Sequence, residues 1–366
     1  MPWTTSCVRE VRARFIDAWK KGFESFAALC RRFGISRQAG YQTVRRYRQL
    51  GSAGLAARSR KPKRLARQLP GQWRTRLRKV RVKYPHWGAK KLQRKLQERH
   101  GARGLPHRAT LGRWLRQWGW TRPARRRQRH GPVVARRALT QGRRVNAVWT
   151  LDFKGWFRTG DGQRCEPLTV RDLFSRFILL CELLPDQSYE RVRASLTRCF
   201  RCFGLPARIR VDNGGPFGSN GPAGLSRLSV WWVRLGIGVE FIRPGCPQDN
   251  GAHERMHGDY QRETLRPPAP SRAAQRVRTR HFVDRYNWER PHESLGQRTP
   301  SQLYRNSTRA YPLALSEWSY PPTWAVRRVR SNGMIKWEGR LRFIGQAFVG
   351  QRIGRASCRE RVCSTV

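Results

Sequence analysis

Three carboxylates between Val148 and His257 stand in settings that suit metal-dependent phosphoryl transfer. Asp152 lies inside Val148-Trp149-Thr150-Leu151-Asp152-Phe153, an apolar run whose alternation reads as a buried strand. An acid there is costly unless it is paired or bound to metal. Asp212 ends Ile209-Arg210-Val211-Asp212 and is followed at once by the turn signal Asn213-Gly214-Gly215. That puts it at a strand's end, where ligands gather in mixed α/β sheets. Glu254 comes just after Gln248-Asp249-Asn250-Gly251, where a helix from about Ala252 to Leu265 would begin. Two acids on strands and one on a helix can hold a pair of divalent cations. Hard Mg²⁺ or Mn²⁺ takes oxygen ligands and keeps positions open for phosphate and water. Two such ions can clamp the attacking and leaving oxygens of an in-line displacement. Plainer readings stand beside this one. A carboxylate is usually a solvated surface group, Glu254 at a helix start also complements the helix dipole, and 19 acids in residues 146–366 leave room for a chance trio.

The elements that must carry these acids sit in a strongly basic chain. Its 366 residues allow two or three domains, and its formal net charge is +54. Residues 1–145 hold 41 Lys+Arg against 4 Asp+Glu, whereas the remainder holds 36 against 19. Such an excess implies a polyanionic partner, of which nucleic acid is the usual one. A membrane surface would require an apolar face opposite the basic one, and no run approaches a membrane span or a signal peptide. The expected location is therefore the cytoplasm, associated with the nucleoid. Nine scattered cysteines include one C-x-x-C pair, Cys199 and Cys202, within a helical pattern. Without a second pair of ligands, free and mostly buried thiols are expected rather than zinc.

The first third reads as helices. Val8–Lys21 presents Val11, Phe15, Ala18 and Trp19 on one face, and residues 26–33 follow with Ala28, Leu29 and Phe33 inward. Gly34-Ile35-Ser36 is a tight turn, with Ser36 a good N-cap for a third helix, Arg37–Leu50. Two short helices joined this way form a helix–turn–helix signature, in which the start of the second helix faces the DNA major groove. Arg37, Gln38, Gln42 and Arg45 are the candidate contacts there. Residues 59–70 form a basic connector in which Lys61, Lys63 and Arg64 can track phosphates, as can Arg58 and Arg60. A second helical unit occupies residues 71–120, with helices at 73–83, 89–100 and about 108–118. Leu92, Leu96, Leu111, Trp114 and Leu115 read as its core, while Arg108, Thr110 and Arg113 could reach DNA. Residues 121–145 form an Arg-rich linker, because Arg125-Arg126-Arg127-Gln128-Arg129 is too charged to pack.

From Asn146 the pattern changes to strands. Residues 147–157 and 166–172 are separated by the hairpin turn Thr159-Gly160-Asp161-Gly162. Strands follow at 177–184, 208–212 and 239–242, and helices at 189–203, 225–235 and 252–265. Three hairpin-like strands and then helix–strand–helix–strand–helix give a mixed α/β sheet covered by helices. Asp152 falls on its first strand and Asp212 on its fourth; periodicity does not show that they are adjacent.

In order, these motifs resemble the retroviral-integrase-like transposases of bacterial insertion sequences, whose ribonuclease-H-like fold carries a DDE acid triad. The residues carrying the match are Trp149-Thr150-Leu151-Asp152-Phe153, Leu168-Thr169-Val170-Arg171-Asp172 with Ser175-Arg176, and Val211-Asp212-Asn213-Gly214. They continue through Pro247-Gln248-Asp249-Asn250-Gly251-Ala252-His253-Glu254-Arg255 to Tyr286-Asn287 and Arg290-Pro291-His292. The likeness covers about residues 146–304, and the two helix–turn–helix units also look like that family. It implies Asp152, Asp212 and Glu254 as catalytic metal ligands for two Mg²⁺ or Mn²⁺ ions. The 41 residues between Asp212 and Glu254 exceed the spacing common in that family, and the Gly/Ser/Pro/Asn-rich stretch at 218–224 reads as a tolerated insertion. Asn213, Asn250, His253, Arg255 and His257 are further candidates near the site. Arg255 and His253 could touch phosphate or the target strand, and His257 reads as structural or a DNA contact rather than a general base.

The resemblance implies binding of terminal inverted repeats, metal-dependent cleavage at the element's ends and strand transfer into target DNA, by at least a homodimer on double-stranded DNA. The alternatives are a DNA-binding protein without catalysis, a ribonuclease-H-like nuclease, or a decayed copy. The expected domains are a helix–turn–helix domain at 1–58, the second helical unit, a core at 146–306 and a small β domain at 307–352, whose strands 326–329, 335–337 and 340–343 are separated by hairpin turns. The tail 353–366 reads as the translation of a sequencing adapter and is expected to be non-native.

Overall fold

The structure, a computed structural model, describes residues 8–57, 71–121, 139–219, 224–242, 247–315 and 319–355. The basic side chains from Arg58 to Arg64, the run from Arg125 to Arg129, the centre of the stretch at 218–224 and the tail beyond Arg355 lie outside these residues. The chain divides into two compact units, Met1–Gln68 and Leu69–Val366.

The first unit is built from α1 (Val8–Lys21), α2 (Phe26–Arg32) and α3 (Arg37–Leu50). Ser25 and Ser36 cap α2 and α3, their hydroxyls accepting from the amides of Ala28 at 3.3 Å and Ala39 at 3.2 Å. Phe15, Ile16, Leu29, Cys30, Ile35, Val44 and Leu55 form the core. Ile16 joins Phe15 at its centre because α1 packs against both α2 and α3 and so buries a wider arc than a single stripe. Gly40 sets how closely α3 approaches α2: a Cβ there would lie 2.7 Å from Cys30 Sγ and 3.0 Å from the Phe26 ring.

The second unit opens with α4 (Gln72–Lys83), α5 (Ala89–His100) and α6 (Arg108–Gln117). Leu92, Leu96, Leu111, Trp114 and Leu115 are buried as expected, together with Trp73, Leu77 and a stacked pair, Tyr84 and Trp87, whose ring centroids are 4.0 Å apart. This bundle is tied to the sheet domain. The Tyr84 hydroxyl donates to Glu289, Lys83 stands 3.6 Å from Glu289, and Lys90 pairs with Glu293.

The sheet contains β1 (Val148–Phe153), β2 (Phe157–Arg158), β3 (Arg164–Asp172), β4 (Ile178–Leu184), β5 (Arg208–Val211) and β6 (Gly238–Phe241). Its order is β4-β3-β1-β5-β6, with β2 paired to the start of β3. The neighbours of β3 are antiparallel and β1-β5-β6 are parallel. Hairpins need only short links, whereas parallel neighbours need crossovers. The crossovers here contain α7 (Tyr189–Phe203) and α8 (Arg227–Arg234). The strand expected at 147–157 is interrupted: Gly155, at φ +87°, turns the chain so that Phe157 pairs with Cys165.

Trp149, Leu151, Leu168 and Val170 pack with Val192, Leu196, Phe200 and Trp232 of α7 and α8 on one face. The other face receives α9 (Gly251–Thr264) and α10 (Arg272–Asp284), through Ile178, Met256, Tyr260 and Phe282. Asn287 fixes the beginning of β4, its amide donating to the carbonyl and accepting from the N–H of Ile178.

Near the C-terminus, β8 (Met334–Trp337) and β9 (Arg340–Phe343) form the expected hairpin, but β7 (Ala325–Arg328) pairs with β10 (Arg352–Arg355) rather than with β8. The boundary expected after residue 352 thus falls inside a paired strand. The described cysteines, Cys30, Cys165, Cys181, Cys199 and Cys202, are free thiols. Among the described residues no helix is long and apolar enough to cross a membrane.

Candidate active site

The parallel pairing of β1 with β5 sets Val148 opposite Arg208, Trp149 opposite Ile209 and Thr150 opposite Arg210. Carried two residues further, the same register puts Asp152 beside Asp212, the first residue beyond β5. Paired strands lie about 4.8 Å apart, so the two carboxylates share one end of the sheet. Glu254, exposed in the first turn of α9, adds its charge from a third element.

Electrostatics report the convergence. Burial first, then the negative charge of Asp212 and to a smaller extent that of Glu254, push the Asp152 carboxyl up to about 7, against the pull of the Phe153 amide and Lys154. Burial also raises Asp212, opposed by the Gly214 amide, and its Oδ1 is buried without a partner among the described residues. Like-charged carboxylates in a half-buried pocket favour a proton or a cation between them.

Beneath α9 the sheet presents a polar face. Asp152 pairs across to Thr169 and Thr150 to Arg171, so strand alternation sends all four side chains to the same side. His253 Nδ1 lies 2.8 Å from Thr150 Oγ1 and its Nε2 2.6 Å from Thr169 Oγ1; His257 Nε2 is 2.8 Å from the same threonine oxygen. The Thr169 hydroxyl donates to the Asp152 carbonyl at 2.8 Å. Having one proton, it must then accept from both imidazoles, which fixes their tautomers with Nε2 protonated. Burial lowers His253 well below its ordinary value and His257 to about 3, so both rings are neutral. That leaves Nδ1 of His257 facing Asp152 Oδ2 at 3.7 Å, two acceptors that a shared proton, a water or a cation can bridge.

An oxygen of Asp152 and ring nitrogens of His253 and His257 lie within 4.8 Å of one another, a grouping able to hold a metal ion. His253 is fully buried with both nitrogens committed to threonines, so it positions α9 on the sheet. The carboxylates are the better donors. Asp152, Asp212 and Glu254 offer oxygens, and the orphaned Asp212 Oδ1 together with the raised Asp152 fit a divalent cation.

The further residues separate. The Asn250 amide lies 3.4 Å from Asp152 Oδ2 and its own Oδ1 is buried without a partner, so it belongs to the pocket. Asn213 turns away, donating to the Ile242 carbonyl. The DNA contact expected of His253 does not form, because the sheet and α9 enclose it; His257 is buried beside it against Thr169. Arg255 is exposed on α9. On α3, Arg37, Gln38, Gln42 and Arg45 are all exposed; on α6, Arg108 and Arg113 are exposed and Thr110 is half-buried. Sequence reading assigned no role to Thr150, Thr169, Arg171 or Asp172. The signal was available: polar residues recur at period two in strands otherwise apolar on both faces.

Residues 142–247 and 235–300 each match a family described as an integrase core domain. Residues 11–63 match a helix-turn-helix domain, and 39–115 a homeodomain-like domain. The chain is 28% identical over 198 residues to an uncharacterized 31.7 kDa protein of insertion element IS407 from Burkholderia multivorans, covering 53% of this chain and 68% of that protein. It is 29% identical over 187 residues to an uncharacterized 39.2 kDa protein of insertion element IS476 from Xanthomonas euvesicatoria, covering 50% of this chain and 51% of that one. Among solved structures, the HTLV-2 integrase catalytic core domain in complex with magnesium is 14% identical, covering 45% of this chain and 100% of that chain at a TM-score of 0.33. The simian T-cell lymphotropic virus intasome in complex with PP2A regulatory subunit B56 gamma is 16% identical, covering 78% and 100% at a TM-score of 0.40. Integrase core domains thus match the sheet and α9, and helix-turn-helix and homeodomain-like domains match the helices ahead of them, so this chain carries an integrase-like core behind helix–turn–helix units and is similar to proteins of bacterial insertion elements.

Proposed function

We propose that this chain binds the terminal inverted repeats of an insertion sequence and catalyses metal-dependent cleavage and strand transfer, with Asp152, Asp212 and Glu254 as the ligands of two Mg²⁺ or Mn²⁺ ions. The observation that carries the reading is the register of β1 against β5, which brings Asp152 beside Asp212, with the charge of Glu254 felt at the same carboxyl. Bound there, the ions would activate water or a 3′-hydroxyl and offset the charge gathering on the phosphodiester. The chain's own part is to hold three carboxylates in place. Thr150 and Thr169 lock His253 and His257, these fix α9, and α9 carries Glu254. Asn250 orients one oxygen of Asp152. Arg37, Gln38, Gln42 and Arg45, exposed on α3, would read base edges, and Arg108, Thr110 and Arg113 on α6 would contact DNA separately. Pairing two element ends implies at least a dimer.

The test uses labelled terminal-repeat DNA and Mg²⁺ with wild type, Asp152→Ala, Asp212→Ala and Glu254→Gln. Nicking and strand joining should fall by more than about 100-fold in each variant while DNA affinity is kept. Equal binding with no cleavage by any protein, wild type included, would identify a DNA binder or a decayed copy instead.

A further inference from the structure

A second polar cavity lies on the other flank of α9. Helix residues step by about 100°, so Ala252, Arg255 and Asp259 lie on one side of the buried His253–His257 face and Glu254 on the other. The cavity measures about 440 Å³, and Lys91, Arg171, Arg176, Arg255, Tyr286 and His292 contribute to its lining.

Its buried arginines are short of acceptors among the described residues. Arg171 is 1% exposed; its Nη1 donates to the Ala252 carbonyl at 2.6 Å and the Tyr286 hydroxyl stands near the guanidinium, but Nε and Nη2 have no well-aligned hydrogen-bond partner among the described residues. Arg176 Nη1 and His292 Nε2 are also buried and unpartnered. The two carboxylates of the lining do not supply the missing acceptors. Asp259 is engaged by Arg262 and Arg290, and Glu293 by Lys90. Arg176 is held in the left-handed region at φ +68°, unfavourable for a side chain of its size. The turn is pinned from below by Asp172, which accepts from the Ser175 amide at 2.8 Å, the Ser175 hydroxyl at 2.7 Å and the Asn146 amide at 2.9 Å. A fully buried acid is thus spent on presenting a strained arginine to the cavity. Neighbouring charge shows the same crowding: after burial, Arg290, Lys91, Arg171 and Arg176 all depress His292. Buried guanidinium forks with free N–H groups match the paired oxygens of a phosphate.

We propose that this cavity binds a phosphate of a DNA backbone other than the phosphodiester cut at Asp152, with Arg171 and Arg176 as fork donors inside and Arg255 at the exposed mouth. The choice of DNA rests on the function proposed above. A mouth on the helix that carries Glu254, in a chain of net charge +54, favours a phosphate belonging to a polymer over a free ion. The site would grip a duplex on the far side of α9 from the acids and fix how it crosses that helix.

The experiment is fluorescence anisotropy of the full chain with labelled duplex DNA in EDTA across a salt series. It compares wild type with Arg176→Gly, Arg255→Gln and the double variant. Arg176→Gly relieves the backbone strain and keeps the fold, which circular dichroism and the melting temperature verify. One lost phosphate contact lowers the salt slope by about 0.9. The double variant should show that decrease and bind about tenfold more weakly near 0.15 M salt. Wild-type affinity and slope in the double variant overturn the proposal. So does the finding that inorganic phosphate raises the melting temperature of wild type but not of the double variant while DNA binding is unchanged, since that assigns the cavity to a free anion. Because no metal is present, a chain that never cleaves DNA leaves this inference standing. Cleavage with an unchanged slope sinks it alone.

Discussion

Burial lifts Asp152 to about 7, and the carboxylates of Asp212 and Glu254 add to the lift. The sign of the consequence is fixed. An acid whose folded pKa exceeds its ordinary value of 3.8 binds its proton more tightly when folded, so metal-free protein loses stability as pH rises from about 4 to about 7. The loss is at most about 4 kcal/mol. A divalent cation competes with that proton, so Mg²⁺ should raise the melting temperature more at about pH 8 than at about pH 5.5. Asp152→Asn removes both effects: without metal at about pH 8 it should melt above wild type, and Mg²⁺ should not shift it. Scanning calorimetry at the two pH values with and without Mg²⁺ checks this, and a shift of equal size at both would remove Asp152 from the cation site.

Elements position these residues through local rules that compete, and Gly40 shows which rule wins. Replacing a glycine inside α3 by alanine favours the helix by about 1 kcal/mol. The added Cβ would meet Cys30 Sγ at 2.7 Å, the Phe26 ring at 3.0 Å and the Phe15 ring at 3.3 Å, three groups of a packed core. Overpacking costs about 1–3 kcal/mol, so Gly40→Ala should destabilise the first unit despite its better helix propensity, and Cys30→Ala in the same chain should recover part of the loss. Ser36→Ala, which removes the N-cap of α3, should cost about 1 kcal/mol with no such rescue. Urea unfolding of Gly40→Ala and Ser36→Ala, each with and without Cys30→Ala, separates the two mechanisms. The same logic governs α9: histidines one turn apart meet threonines on adjacent strands, so a polar seam beside the apolar contacts of Met256 and Tyr260 sets the helix that carries Glu254.

At the scale of the whole molecule, the division of charge matches a division of labour. Residues 1–145 carry 41 Lys+Arg against 4 acids, and the acids of the proposed cation site all come from the later part. The unit Met1–Gln68 is compact by itself, with its own core. A chain lacking residues 1–57 should therefore keep the Mg²⁺-dependent melting shift of the sheet domain while its salt slope for DNA binding falls by several units. Isothermal salt titrations and melting curves on the shortened chain check both halves. Loss of the Mg²⁺ response would show that the first unit is needed to build the acid site.

The sequence by itself determined the elements. Helix periodicity and caps located α1 and α3 to the residue, α5 and α7 likewise, and an acid in an apolar strand marked Asp152 before any geometry was known. These are local properties: each depends on residues within a turn or two, or on strand alternation. Tertiary structure decided the rest. The adjacency of Asp152 and Asp212 depends on a parallel register across a crossover of more than fifty residues, which no local pattern records. The fate of His253 depends on two threonines from different strands, so a residue that looked able to touch DNA proved to be enclosed. The same holds for Arg171 and Arg176: the sequence marked them as part of a motif, but only the fold buries the Arg171 guanidinium and Arg176 Nη1 beside carboxylates already committed to other partners.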